Sequence, residues 1–252
     1  MPSTSTNTPA QSTPLWWLHG FTQTSASAHR FRSILTGHRP LTTPDLPGHG
    51  SQSNVEATLE ETADLIAAAM PSRPVVLGGY SLGGRVALHV ALRHPDKIAA
   101  LVVLGATRGI HDEAVRQQRR DRDGTLAQHL LDVGVDTFLN EWLAQPMFAS
   151  LPNDAEERDA RRHNTASGLA SSLLFAGTGT QSWLEDRLRT LNVPTLALAG
   201  AGDDRFAAEA RALSRTVPTG TFALIPGAGH AAHLQQPALT ARLIETFCSN
   251  YG

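Results

Sequence analysis

The stretch Pro74-Val75-Val76-Leu77-Gly78-Gly79-Tyr80-Ser81-Leu82-Gly83 decides how this chain folds. Pro74 to Leu77 is a short apolar run that reads as a buried strand, and helix-forming residues continue from Arg85 through Leu92. Between them, Gly79-Tyr80-Ser81-Leu82-Gly83 spells G-x-S-x-G. Strand, sharp turn and helix form the setting in which that pattern makes a nucleophile elbow. The turn forces the serine backbone into a strained conformation, and small neighbours are needed because strand and helix backbones approach closely. The strain leaves Ser81 Oγ exposed above the sheet, where a base can reach it.

Outward from the elbow, strands and helices alternate. Leu15-Trp16-Trp17-Leu18 reads as a short buried strand ending at His19-Gly20-Phe21, and Pro40 to Pro44 as a second strand followed by the loop Asp45-Leu46-Pro47-Gly48-His49-Gly50. Glu56 to Met70 has helical spacing, with Leu59, Ala63, Ile66, Ala67 and Met70 on one face. Ile98 to Leu104 is continuously apolar, which suits a parallel strand covered on both sides. From about 110 to 185 the chain turns polar and arginine-rich, and segments such as Asp136 to Leu143 read as short amphipathic helices. Alternation resumes at Pro194 to Gly200 and Thr221 to Pro226, and a last helix is expected from Pro237 to Cys248. The expected organisation is an α/β core over 15–109 and 186–252 with a mostly parallel sheet. A helical lid over 110–185 interrupts it above the carboxyl ends of the strands.

Composition bounds the rest. The 252 residues are 41% apolar with a formal charge of −2, which argues against nucleic acid or an anionic membrane as the main partner. One cysteine, Cys248, excludes an internal disulfide framework. Residues 1–14 are Ser, Thr, Pro and Asn without the charged or apolar regions of a signal peptide, and are expected to be a disordered tail. No apolar run approaches a membrane span, so a cytoplasmic protein, monomer or homodimer, is expected.

Ser81 needs a base, and the base needs an orienting group. In folds carrying this elbow the chain order is serine, then acid, then histidine. Asp203 lies in Gly200-Ala201-Gly202-Asp203-Asp204-Arg205-Phe206 just after an apolar strand, and His230 in Gly227-Ala228-Gly229-His230 just after the last strand. Asp204 and His233 are their rivals. The loop His19-Gly20-Phe21 is positioned to supply one oxyanion-hole N–H, from Phe21, while the residue after the serine, Leu82, supplies the other. Arg85 stands four residues after Ser81, where packing ordinarily wants a small or apolar side chain. An arginine there needs an anionic partner, either a lid carboxylate or a bidentate substrate carboxylate. Arg116, Arg119 and Arg120 add positive charge to the lid, as a solvated face or as part of the site. Trp142 reads as core packing or a pocket wall. Phosphate-loop and dinucleotide motifs are absent from the sequence, and no His/Cys/Asp spacing suits a metal, so no cofactor is expected.

These residues closely resemble 2-succinyl-6-hydroxy-2,4-cyclohexadiene-1-carboxylate synthases, the α/β-hydrolase-fold lyases of menaquinone biosynthesis. The resemblance spans roughly residues 15 to 245. It rests on Leu18 to Phe21, Asp45 to Gly50, Gly79 to Arg85, Phe138 to Leu151, Gly200 to Phe206 and Ile225 to His230. Arg85 together with the Trp142 segment is its most specific part, and the N-terminal tail departs from it. By this resemblance Ser81, Asp203 and His230 are the triad, Arg85 and Arg119 hold substrate carboxylates, and Tyr80 and Trp142 line the site. Arg116 and Arg120 leave the choice of lid arginine open. The implied reaction eliminates pyruvate from the tricarboxylate 2-succinyl-5-enolpyruvyl-6-hydroxy-3-cyclohexene-1-carboxylate, with Ser81 as a base. A serine carboxylesterase or C–C bond hydrolase acting on an anionic small molecule is the alternative.

Overall fold

The computed structural model describes residues 12–251. Six strands are paired in parallel: β1 (Leu15–Leu18), β2 (Leu41–Thr42), β3 (Val75–Tyr80), β4 (Ile98–Leu104), β5 (Thr195–Gly200) and β6 (Gly220–Ile225), in the order β2-β1-β3-β4-β5-β6. Helices α1 (His29–Thr36), α2 (Leu59–Ala69) and α3 (Leu82–Arg93) belong to the first half. α4 (Glu113–Leu143), α5 (Ala155–Arg162) and α6 (Ala166–Ala176) form the segment between β4 and β5. The single turn α7 (Glu185–Leu188) precedes β5, and α8 (Asp204–Thr216), α9 (Ala232–Gln235) and α10 (Pro237–Cys248) complete the chain.

Strand side chains alternate between two apolar layers, as a pleat of period two requires. Trp16 and Leu18, Val75 and Leu77, Leu101 and Val103, and Ala197 and Ala199 pack on one face with α2, α3 and α8. Leu15 and Trp17, Val76 and Tyr80, Val102 and Leu104, and Leu196 and Leu198 pack on the other with α1 and α10. Both faces are therefore dry, which is why β3 and β4 read as unbroken apolar runs. A third cluster, including Leu130, Phe138 and Leu169, lies within the helical segment.

The segment 110–185 contains helices and no strand among its described residues. α4 is interrupted at Gly134, whose φ of 75° and ψ of 172° are not helical, so Asp136 to Leu143 forms a short helix as expected while the run before Gly134 is longer. The expected tail over 1–14 also changes at its inner end. Residues 1–11 lie outside the described residues, whereas the Pro14 carbonyl accepts the Val76 N–H at 3.0 Å and the Thr13 carbonyl accepts from Arg39 at 2.9 Å. These bonds bring the chain into the sheet, between β2 and β3, before β1 begins. No described helix is long and apolar enough to cross a membrane.

Candidate active site

The turn between β3 and α3 is shaped by backbone contact. A Cβ on Gly79 would lie 2.2 Å from the Gly83 carbonyl oxygen, and one on Gly83 would lie 2.2 Å from that of Leu18. Neither position accepts a side chain without moving the main chain. Ser81 between them has φ 53°, ψ −108°, in the left-handed half of the map where a β-substituted residue is strained. Its N–H is held by the Leu104 carbonyl at 2.9 Å.

His230 Nε2 lies 3.4 Å from Ser81 Oγ, and His230 Nδ1 lies 2.9 Å from Asp203 Oδ2. With Nδ1–H donating to the carboxylate, Nε2 is left to accept the serine proton. Asp203 caps α8 by accepting the Phe206 N–H at 3.2 Å. Burial works to raise the Asp203 pKa, but the bonds from His230 and Phe206 outweigh it, and the net effect keeps the carboxyl below its ordinary range. The His230 ring is packed by Phe206 at 4.4 Å, Tyr80 at 5.2 Å and Phe148 at 6.1 Å. Of the rivals, Asp204 is exposed on the first turn of α8. His233 is fully buried against Tyr80, with ring centroids 4.3 Å apart, and bonds Gln23 rather than Ser81. Burial, reinforced by Arg161 and His230, lowers its pKa to about 3 and keeps it neutral.

Ser81 and His230 open into a cavity of about 440 Å³ between the sheet edge and the helical segment. Phe21 and Leu82 line it, as do Tyr80 and Trp142. Trp142 both stacks on Phe138 and meets Phe21 at 5.2 Å, so it is packed and pocket-facing at once. Leu82 opens α3, where the first backbone N–H groups have no intrahelical acceptor. His19 braces the Phe21 loop: Nδ1 donates to the Gly20 carbonyl at 2.9 Å, and Nε2 accepts the Leu46 N–H at 3.0 Å.

Four arginines and one carboxylate line this cavity: Arg85, Arg119, Arg122, Arg205 and Asp123. The chain as a whole carries −2, so the positive charge is concentrated here. Arg85 is 7% exposed and makes no ion pair among the described residues. Its Nη1 donates to the Ala176 and Gly177 carbonyls at 2.8 and 3.2 Å, neutral acceptors, and Asp123 opposes its charge only from beyond ion-pair distance. Burial first, and then the neighbouring Arg119, lowers its pKa to about 9. The lid-carboxylate ion pair considered for Arg85 from the sequence is therefore not formed among the described residues; lid carbonyls take its hydrogen bonds and Asp123 acts from farther away. Arg119 pairs with Asp123 at 2.8 Å. Arg116 and Arg120 pair with Glu113 and do not line the cavity.

Sequence reasoning missed Arg122 and Arg205. Arg119, Arg122, Asp123 and Leu126 stand at i, i+3, i+4 and i+7, so one helix face carries them all to the cavity. That signal is in the sequence, but it needs the run of α4 before Gly134 to be read as one continuous helix. Arg205 stacks over Phe206 at 5.3 Å and had no local signal.

Comparison with known proteins gives the relationship. The alpha/beta hydrolase family profile matches residues 17–243. A 2-succinyl-6-hydroxy-2,4-cyclohexadiene-1-carboxylate synthase from Enterobacter sp. (strain 638) is 34% identical over 235 residues, covering 90% of this chain and 88% of the relative. The chain belongs to the 2-succinyl-6-hydroxy-2,4-cyclohexadiene-1-carboxylate synthase family of α/β-hydrolase-fold enzymes. The solved structure of MenH from S. aureus superposes with a TM-score of 0.89 at 30% identity, over 96% of this chain and 95% of that one. A thermophilic esterase from Thermogutta terrifontis reaches 0.78 at 25% identity, over 96% and 91%. The synthase family thus shares its scaffold with an esterase, and the walls of the cavity must separate the two chemistries.

Proposed function

We propose that this enzyme is a lyase of menaquinone biosynthesis, acting in the cytoplasm. It eliminates pyruvate from 2-succinyl-5-enolpyruvyl-6-hydroxy-3-cyclohexene-1-carboxylate to give 2-succinyl-6-hydroxy-2,4-cyclohexadiene-1-carboxylate. The observation that carries this reading is the buried Arg85, without an ion-pair partner among the described residues, in a four-arginine wall facing Ser81 and His230. A neutral ester gives such a wall nothing to bind, whereas its four arginines less the charge of Asp123 leave three positive charges for three carboxylates. The names of the relatives point the same way.

In this mechanism His230 takes the Ser81 proton and Ser81 Oγ removes the ring proton beside the succinyl carbonyl. Asp203 holds His230 in the required tautomer and stabilises its cation. Electrons from the broken C–H bond pass into the carbonyl, giving an enolate whose oxygen accepts from the N–H groups of Phe21 and Leu82. Collapse of the enolate forms the C2–C3 double bond, the existing ring C3–C4 double bond shifts to C4–C5, the C5–O bond breaks, and enolpyruvate leaves. His230 returns a proton through Ser81, and pyruvate results by tautomerisation. Arg85 and Arg119 anchor carboxylates, Tyr80 and Trp142 close the walls, and the segment 110–185 acts as the lid.

The esterase-like neighbour keeps a second reading in view, in which Ser81 attacks an anionic ester or ketone as a nucleophile. Turnover decides between them. Incubation with the enolpyruvyl substrate should release pyruvate, Ser81→Ala should reduce that release by about 10³-fold or more, and neutral aryl esters should react poorly. Rapid ester cleavage without pyruvate release contradicts the proposal.

A further inference from the structure

Three non-glycine residues among those described adopt left-handed backbone angles: Ser81 at φ 53°, Thr22 at φ 68° and Ala28 at φ 58°. Ser81 is the elbow. Thr22 and Ala28 bracket the loop that follows Phe21, and side chains of α5 and the turn after it hold both. Ala28 N–H donates to Glu157 Oε2 at 2.7 Å. Thr22 Oγ1 accepts from Arg161 Nη1, and the Thr22 carbonyl accepts from Asn164 Nδ2 at 2.7 Å. Arg161 and Glu157 pair with each other at 2.8 Å, and Glu157 Oε1 accepts from Gln23 Nε2 at 3.0 Å. Gln23 Oε1 in turn accepts the Gly20 N–H at 2.9 Å, so the network reaches both sides of Phe21.

The network is costly to build. Arg161 is 2% exposed, and a buried ion pair is difficult to stabilise against its own desolvation. An apolar contact could dock α5 equally well. What the polar groups add is directionality: their bonds end on the Thr22 carbonyl, the Ala28 N–H and, through the Gln23 side chain, the Gly20 N–H. A β-substituted residue leaves the left-handed region unless its surroundings hold it there. None of Glu157, Arg161, Asn164 and Gln23 lines the Ser81 cavity, so they do not touch what it binds.

We propose that Arg161, Glu157, Asn164 and Gln23 are positioning residues that hold Thr22 and Ala28 in their strained conformations and so aim the N–H of Phe21 into the cavity. This rests on the use of that N–H as an oxyanion donor. One consequence is that the oxyanion site is complete only while α5 is docked, which ties catalytic competence to the placement of the helical segment.

The test combines kinetics on the enolpyruvyl substrate with amide hydrogen exchange read by mass spectrometry. In folded Arg161→Met, exchange over residues 19–28 should speed up while that of β3 stays as in the native protein. Its kcat should fall about ten- to a hundredfold, with KM within about threefold. Arg161→Lys, whose single nitrogen lacks the fork that reaches Thr22 and Glu157 from two nitrogens, should fall between. Asn164→Ala leaves the ion pair intact and is read in the same way should Arg161→Met fail to fold. Unchanged exchange over 19–28 overturns the positioning role, and so does a rise in KM at normal kcat. Faster exchange with normal kcat shows a held loop whose N–H the reaction does not use; that overturns the oxyanion assignment, while the triad is judged separately by Ser81→Ala.

Discussion

The elbow and the helical segment facing it hold their functional groups by different means. At the elbow, backbone meets backbone: a Cβ on Gly83 would come within 2.2 Å of the Leu18 oxygen and 2.6 Å of the His19 oxygen. In the helical segment, side chains meet side chains: Arg119 on Asp123, and Arg116 and Arg120 on Glu113. A steric arrangement has one solution and no slack. Ion pairs are exchangeable, and the proposed function asks Asp123 to give up Arg119 when a substrate carboxylate arrives. The division suits the proposed chemistry, in which the proton-transfer groups stay fixed while the carboxylate-binding groups adapt.

The sharpest way to break this contrast is to add one methyl group at the elbow. Gly83→Ala should lower turnover by at least about 10²-fold, because a small misplacement of the serine is enough. Stability should fall by about 3 kcal/mol or more, since backbone and not a flexible side chain must move. Native-like pyruvate release and melting temperature in this variant would show that the elbow has the slack denied to it here.

Acid should find the same division. His19, His49 and His233 are buried in the core, and desolvation lowers their pKa values to about 4, 3 and 3. Their unfolded values lie near 6.5, so below that pH the unfolded chain takes up protons that the folded chain refuses. Their contribution is present above pH 6.5 and is lost as pH falls toward 4, at up to about 1.4 kcal/mol per pH unit for each histidine. Urea midpoints measured from pH 7 to pH 4.5 should fall accordingly.

Within the adaptable wall, burial should grade the effects. Arg85→Ala should reduce kcat/KM by about 2–5 kcal/mol in transition-state stabilisation, and Arg85→Lys should rescue little. Arg119→Ala should cost about tenfold in kcat/KM, since its side chain is one-third exposed and its contact is partly screened. Arg120→Ala, outside the cavity, should stay within about twofold. Equal losses at Arg119 and Arg120 would mean that general positive charge, and not placement, does the binding.

The same contrast explains what could be read from the sequence. The elbow, β1, β4 and α10 were legible because short-range backbone rules and unbroken apolar runs leave few alternatives. Ser81, Asp203 and His230, far apart in sequence, are brought within hydrogen-bonding distance because each follows a strand of one parallel sheet. α1 gave no signal: it opens at Ala28 in a left-handed conformation with no side-chain cap, held instead by Glu157, 129 residues away. Choosing among the arginines of α4 required the length and phase of one helix, and its polar surface hides both. Arg122 and Arg205 depend on the distance between two elements, which local pattern does not carry.

The most direct test of the central claim is rapid-quench mass spectrometry of the intact protein during turnover of the enolpyruvyl substrate. With Ser81 acting as a base, pyruvate accumulates while the protein shows only its unmodified mass at every time point. A transient adduct mapping to Ser81, formed and lost at the turnover rate, would contradict the account and make Ser81 a covalent nucleophile.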